Sequence, residues 1–223
     1  MAKDKISKGE EVLIILGDTI VDFDLSELRK VNNSILGIKK VDDPRSFGVA
    51  ELDDHGIITR VVEKPAIPKS NNALVGVYLI RESDLLFDCL DKINRKRTAA
   101  NEEFSLTDGI EKMIEDHKVI FKTFQAGNWF DCGSKETLLE TNAILLNRLN
   151  TESKKYNFTN TIIIHPVVTG ANCKISNSII GPNVSIGENT VIQSSIIADS
   201  IIGTYSNIET AVLTQSIIGS DTS

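Results

Sequence analysis

Isoleucine recurs at a fixed beat in the last third of the chain. Ile180-Gly181, Ile186-Gly187, Ile202-Gly203 and Ile218-Gly219 mark it, and Ile192-Gln193, Ile197-Ala198 and Ile208-Glu209 hold the same phase between them. Successive anchors lie six or five residues apart, and helix formers are scarce around them. A β-sandwich of isoleucine-rich strands would alternate with period two, so it does not give this pattern. A period of five to six is that of a hexapeptide repeat and predicts a parallel β-helix. One aliphatic residue per side of a narrow prism points inward, the small residue after it permits the corner, and stacked coils bury one aliphatic column. From Ile162 to Gly219 there is room for roughly three coils, near the minimum for stability. Such a short stack is expected to lean on the rest of the chain or on another subunit.

Before about residue 155 the texture differs. EVLIIL (11–16) is a continuous apolar run and predicts a strand buried on both faces. DLSELRKV (24–31) opens with Asp24 and Glu27 in a D-x-x-E capping pattern and predicts a short helix. SILGIKKV (34–41) and ALVGVYLI (73–80) read as strands. FGVAELDDHGIITRVVEKP (47–65) reads as a hairpin whose turn, Asp53 to Gly56, uses a glycine able to take positive φ. Residues 82–93 and 105–117 carry apolar side chains at helical spacing, 119–134 reads as a strand and loop, and 135–149 as a strongly apolar helix. This order of elements predicts an α/β sheet sandwich over 1–155 followed by the β-helix over 156–223.

The net charge of −7 argues against a nucleic-acid or anionic-membrane surface, although a few local Lys or Arg residues suffice for an anionic substrate. No 18-residue apolar run and no signal-peptide pattern follows Met1. Cys89, Cys132 and Cys173 have no metal-like spacing and read as free thiols of a reducing cytoplasm.

Two carboxylates stand at strand ends. Asp18 closes the run ILGD, and Asp131 lies in NWFDCGS between a strand and a helix. Each has an ordinary reading, Asp18 as a turn residue after glycine and Asp131 as an acceptor of backbone hydrogen bonds ahead of the helix. Together they are the kind of pair that a Mg²⁺ bound to substrate phosphates requires. Glu63-Lys64-Pro65 ends the second hairpin arm. Its ordinary reading is a solvent-facing ion pair. Its functional reading has Pro65 ending the strand and fixing where the two side chains point, Lys64 to a phosphate and Glu63 to sugar hydroxyls. Gly48 and Gly76 fall where a strand permits close approach of a ligand, with a β-bulge as the alternative.

In their order, LGDTI, the 47–65 hairpin, ALVGVYLI, EFSLTDGI and NWFDCGSKETLLETN resemble the sugar-1-phosphate nucleotidyltransferases. More narrowly, the chain is similar to glucose-1-phosphate thymidylyltransferases or uridylyltransferases that carry a C-terminal left-handed β-helix. The resemblance covers nearly the whole chain. It implies a Rossmann-like sheet and a reaction of an NTP, dTTP or UTP, with a sugar-1-phosphate such as glucose-1-phosphate, giving an NDP-sugar and pyrophosphate. It also implies that Asp18 and Asp131 are Mg²⁺ ligands and that Glu63 and Lys64 are the sugar- and phosphate-contacting pair. Gly48 matches a residue whose backbone contacts the sugar, and Val75 and Gly76 match the segment lining its pocket. A homo-oligomer is expected.

One departure stands out. The family pattern opens with a strand, a loop of the kind G-x-G-T-R-x-x-P and then a P-K motif, which hold the triphosphate and read the base; that loop, and a P-K placed after it, do not occur in these 223 residues. Met1 therefore reads as an internal methionine, and the first part of the nucleotide half as missing. EVLIIL is then expected to expose an edge and an apolar face, compensated by dimerisation or a rearranged N-terminus. NTP binding by the chain as written is expected to be poor and turnover slow or nil. A non-catalytic sugar-phosphate-binding or regulatory subunit is the alternative, and a β-helix acyltransferase a more distant one. For the latter only His165 lies near the repeats, and His55, His117 and His165 all read as solvated or capping side chains.

Overall fold

The computed structural model describes residues 2–96, 105–149 and 156–223, which fall into two units, Met1–Phe130 and Asp131–Ser223. In chain order the first unit contains β1 (Val12–Ile15), β2 (Thr19–Val21), α1 (Leu25–Arg29), β3 (Ser34–Lys40), β4 (Gly48–Leu52), β5 (Ile58–Glu63), β6 (Asn72–Ile80), α2 (Ser83–Lys96), α3 (Leu106–His117) and β7 (Phe121–Gln125). A short strand beginning at Trp129, β8 (Trp129–Asp131), forms a two-stranded ribbon with β2. The main sheet has six strands in the order β1-β6-β3-β7-β5-β4, with an added β6–β4 pairing. It is mixed: β3 and β7 run parallel, and the other pairs are antiparallel.

Every residue of β6 is buried, because its two faces feed different cores. Leu74, Tyr78 and Ile80 pack with Leu86 and Cys89 of α2 and Ile110 and Met113 of α3. Val75 and Val77 point the other way, toward Ala126 and the partly buried Val21, Phe23, Phe124 and Trp129. Period-two alternation thus persists within a run that is apolar throughout, as expected where both faces are covered.

The expectation that EVLIIL is buried on both faces is not met. β1 pairs with β6 alone, its burial alternates, and Leu13, Ile15 and Leu16 are exposed, as are Ile20 and Leu25 beyond it. Ile14 is the β1 residue packed against the main core. An apolar run marks a strand buried on both faces only if neighbours exist on each side, and β1 is an edge. The alternative expectation, an exposed edge and apolar face, is what the structure shows. The N-terminal 3₁₀ turn, Ala2–Lys5, is tied instead to α2, with Lys3 bonded to Asp91 and the Gly9 amide donating to Asp84 at 2.9 Å.

The helix starts follow from their caps. Ser105 and Asp108 exchange hydrogen bonds in a capping box at α3. Asp24 accepts the Ser26 amide at 2.8 Å at α1, while the Glu27 side chain, the other half of the expected pattern, lies outside the described residues. In the motif EFSLTDGI, Glu103 and Phe104 also lie outside them.

The second unit consists of α4 (Lys135–Arg148) and a parallel β-helix of about three turns. Its three faces are stacks of short strands. One holds Ile162–Ile163, Ile179–Ile180, Ile196–Ala198 and Val212–Thr214; a second, Val167–Thr169, Val184–Ile186, Ile201–Ile202 and Ile217–Ile218; the third, Lys174–Ser176, Val191–Gln193 and Asn207–Glu209. The isoleucine beat is the inward column: Ile180, Ile186, Ile192, Ile197, Ile202 and Ile208 are all buried in one core. In register, Ile163, Ile180, Ile197 and Leu213 stack directly, so a coil takes 17, 17 and then 16 residues (163→180→197→213).

Of the glycines in the Ile-Gly pairs, Gly181 has a φ of +109, whereas Gly187 and Gly203 work differently from the expectation that they permit the corner. The corners themselves are turned by residues in the left-handed conformation, among them Asn172, Asn189, Tyr205 and Asp221. Gly187 and Gly203 are required because the next coil is too close: a Cβ on Gly187 would lie 2.5 Å from the Thr204 amide nitrogen, and one on Gly203 2.5 Å from that of Ser220. Asparagines at stacked corners add side-chain bonds, as between Asn172 and Asn189 at 3.1 Å. Helix α4 is held to the second face by Asn142, which donates to the Asn183 carbonyl at 3.2 Å and accepts from the Ser185 hydroxyl at 2.6 Å.

Among the described residues no helix is long and apolar enough to cross a membrane, and all three cysteines are free.

Candidate active site

The β4–β5 hairpin carries Gly48 and Glu63 as cross-strand partners. Glu63 is half-buried, and one of its carboxylate oxygens accepts the hydroxyl of buried Thr107 at 2.8 Å. Thr107 reaches it from the first turn of α3, where the capping box fixes the backbone. Gly48 lies against this pair. A Cβ there would sit 2.9 Å from the Leu74 side chain, 3.1 Å from Glu63 Oε2 and 3.2 Å from Thr107 Oγ1. The absence of a side chain at Gly48 therefore leaves the Glu63 carboxylate reachable from the strand. This is a steric requirement and not a bulge, since the pairing of β4 with β5 is regular at Gly48.

Lys64 follows directly. Its φ is +41, its amide donates to the Phe47 carbonyl at 3.1 Å, and its side chain is exposed. A positive φ in a lysine is unusual, and it turns the chain sharply at the strand end, just before Pro65. No ion pair between Glu63 and Lys64 is present among the described residues, so the ordinary reading of that dipeptide is not met.

On β6, Val75 is fully buried, and its carbonyl accepts the Thr19 hydroxyl at 2.9 Å. Thr19 in turn accepts from the Trp129 indole N–H at 3.2 Å. Gly76 has φ +76 and its carbonyl accepts the Leu16 amide at 2.9 Å. The β3–β6 partners jump from Leu36↔Tyr78 to Ile38↔Leu74, so for Gly76 the bulge reading holds. The bulge and Thr19 together fix the turn at Gly17-Asp18 against β6. Asp18 is exposed.

Tyr78 links these groups electrostatically. Burial first, then the negative charges of Glu63 and Asp18, push its phenol far above the usual tyrosine range. Both carboxylates thus act on one buried side chain of β6. Asp131 opens the second unit, and its Oδ1 accepts the Gly133 amide at 3.2 Å, as the ordinary reading expects, leaving the other oxygen available.

Among the described residues no three His, Cys, Asp or Glu side chains gather into a metal cage. Asp18 lies in the first unit and Asp131 in the second, and each offers a single carboxylate of the kind that Mg²⁺ takes beside phosphate and water oxygens. Thr107, Thr19, Tyr78 and Trp129 adjoin the candidate residues and were not singled out in the sequence. The capping pattern Ser105-x-x-Asp108 could have placed Thr107 on a first helical turn, but nothing local points it at Glu63.

The nucleotidyl transferase family profile matches residues 1–148. Glucose-1-phosphate thymidylyltransferase of Streptomyces griseus is 29% identical over 215 residues, covering 86% of this chain and 59% of that protein. The bifunctional protein GlmU of Methanococcus aeolicus is 31% identical over 257 aligned residues, covering 97% of this chain and 60% of that protein. The solved structure of a UDP-glucose pyrophosphorylase complexed with UDP-glucose superposes with a TM-score of 0.50 at 24% identity, over 63% of this chain and 57% of that one, a likeness of fold. The chain spans about three fifths of the length of these two curated relatives.

Proposed function

The chain belongs to the nucleotidyl transferase family, and from that premise we propose that it carries the sugar-1-phosphate side of an NDP-sugar-forming site. The reaction is attack of a sugar-1-phosphate oxygen, with glucose-1-phosphate as the sugar phosphate, on the α-phosphorus of dTTP or UTP. The new P–O bond forms as the bond to pyrophosphate breaks, so the products are NDP-sugar and pyrophosphate. No protein nucleophile is needed.

The observation that carries this reading is the Gly48–Glu63–Thr107 cluster beside Lys64. Glu63, fixed by Thr107, accepts sugar hydroxyls. Lys64, exposed at the sharp turn after β5, neutralises phosphate charge where it gathers in the transition state. Val75 and Gly76 shape the pocket through their strand. Asp18 and Asp131 are assigned as the residues that would hold Mg²⁺, whose charge would offset that of the phosphates.

Calorimetric titration of the purified chain with glucose-1-phosphate tests the reading. Binding is expected, with a loss of tenfold or more in Glu63→Gln and in Lys64→Ala. Lack of binding to any sugar phosphate, or binding indifferent to both substitutions, contradicts it. The 223 residues contain no glycine-rich triphosphate loop. Synthesis of NDP-sugar by these residues alone is therefore expected to be slow or nil, and binding without turnover would favour a sugar-phosphate-binding subunit.

A further inference from the structure

Helix α3 is bonded to strand β5 at two places. At one, the Thr107 hydroxyl donates to Glu63. The other lies one turn further along the helix and two residues back along the strand. There one Glu111 carboxylate oxygen accepts the Val61 amide at 2.7 Å, and the other stands 3.4 Å from Arg60 Nε. Four helical residues rise about 6 Å and two strand residues about 6.6 Å. The pairs Thr107–Glu63 and Glu111–Val61 therefore keep step as helix and strand run in opposite directions.

The sheet creates the need for Glu111. Strand β5 pairs along one edge with β4, while β7 meets its other edge at Ile58↔Phe121. Val61 lies beyond that point and is 2% exposed, so its N–H requires an acceptor other than bulk water. Glu111 supplies it from a side chain that is 18% exposed. On its far side α3 is seated closely on α2: a Cβ on Gly109 would lie 2.6 Å from the Leu90 side chain. Ile110 and Met113 of the same helix pack in one core with Val61. With α3 held against α2, the length of the Glu111 side chain sets how far β5 stands from the helix. That spacing decides where Glu63 meets Thr107.

We propose that Glu111 is a positioning residue for sugar recognition, fixing the stretch of β5 that carries Glu63 and so placing its carboxylate for the sugar hydroxyls. This role rests on the sugar-phosphate reading of the site. Reach matters in it and charge does not. The Val61 amide needs an acceptor at the right distance, whereas Arg60, with its side chain 48% exposed, is a weak ion-pair partner.

Glu111→Gln keeps an acceptor at the same reach, and Glu111→Asp keeps the charge but is one methylene shorter. Each is titrated calorimetrically with glucose-1-phosphate, well below its melting temperature. The Gln variant should bind within about twofold of the wild type and the Asp variant about tenfold more weakly, the scale of loss that a small misplacement brings. Glu111→Ala, which lacks the acceptor, should behave as Glu111→Asp does, and Arg60→Ala as the wild type. Without ligand, the ¹³C resonance of the Glu63 carboxyl should move more in Glu111→Asp than in Glu111→Gln. Lower melting temperatures for the Asp and Ala variants with affinity and resonance unchanged would make Glu111 merely structural and overturn the proposal. An equal loss of affinity in Glu111→Gln and Glu111→Asp would overturn it too, since charge would then be the cause. If the wild type binds no sugar phosphate, the functional reading fails by itself, and the ligand-free resonance decides whether Glu111 places Glu63.

Discussion

At the scale of single residues, the candidate site depends on how closely Gly48, Glu63 and Thr107 approach one another. Thr107→Val removes a hydroxyl donor from a half-buried carboxylate. It should weaken sugar-phosphate binding and cost about 1.5–3 kcal/mol of stability, readable by urea denaturation. Lys64→Gly and Lys64→Ala separate two roles: the glycine variant keeps the positive φ of 41 without strain, so it should be more stable than the alanine variant while both lose phosphate affinity. Tyr78 gives the site a pH signature. Its phenol is held far above its ordinary value near 10 by burial, Glu63 and Asp18. The unfolded chain therefore releases that proton first. The stabilising contribution is complete below about pH 10 and fades as the pH rises beyond it. Tyr78→Phe should flatten the alkaline loss of stability in melts above pH 10. Glu63, Lys64 and Gly48 could be picked out as candidates from the sequence because a strand-ending E-K-P and a strand glycine stand out locally. Thr107 was not, because its contact with Glu63 spans 44 residues.

At the scale of elements, the repeat offers a matched pair of substitutions. Gly187 and Gly219 follow isoleucines at the same beat, yet their surroundings differ. A Cβ at Gly187 meets backbone of the next coil at 2.5 Å, whereas one at Gly219 meets only the Thr222 hydroxyl, at 4.0 Å. Gly187→Ala should cost about 1–3 kcal/mol or more, and Gly219→Ala should stay within about 0.5 kcal/mol, as thermal melts of the two variants would reveal. The isoleucine period announced the inward column in advance. The reason for the glycines stayed hidden, because the atoms that exclude a side chain lie 16 or 17 residues further along the chain. β1 teaches the same lesson. VLIIL and ALVGVYLI are alike as strings, but β6 has strands on either side and β1 has one, and only pairing distinguishes them.

At the scale of the molecule, an α/β sheet followed by a β-helix was readable because the two textures differ in period, and the order of five motifs carried the family. What the sequence could not supply was the use made of exposed apolar surface at the β1 edge, since exposure is a property of the folded chain. The β4–β5–β6 region is proposed to hold a sugar-1-phosphate. The most direct measurement is an amide chemical-shift titration of the labelled chain with glucose-1-phosphate. Saturable shifts centred on Gly48, Glu63, Lys64 and Gly76, absent in Glu63→Gln, are expected. Shifts confined to other residues, or none at saturating sugar phosphate, would contradict it.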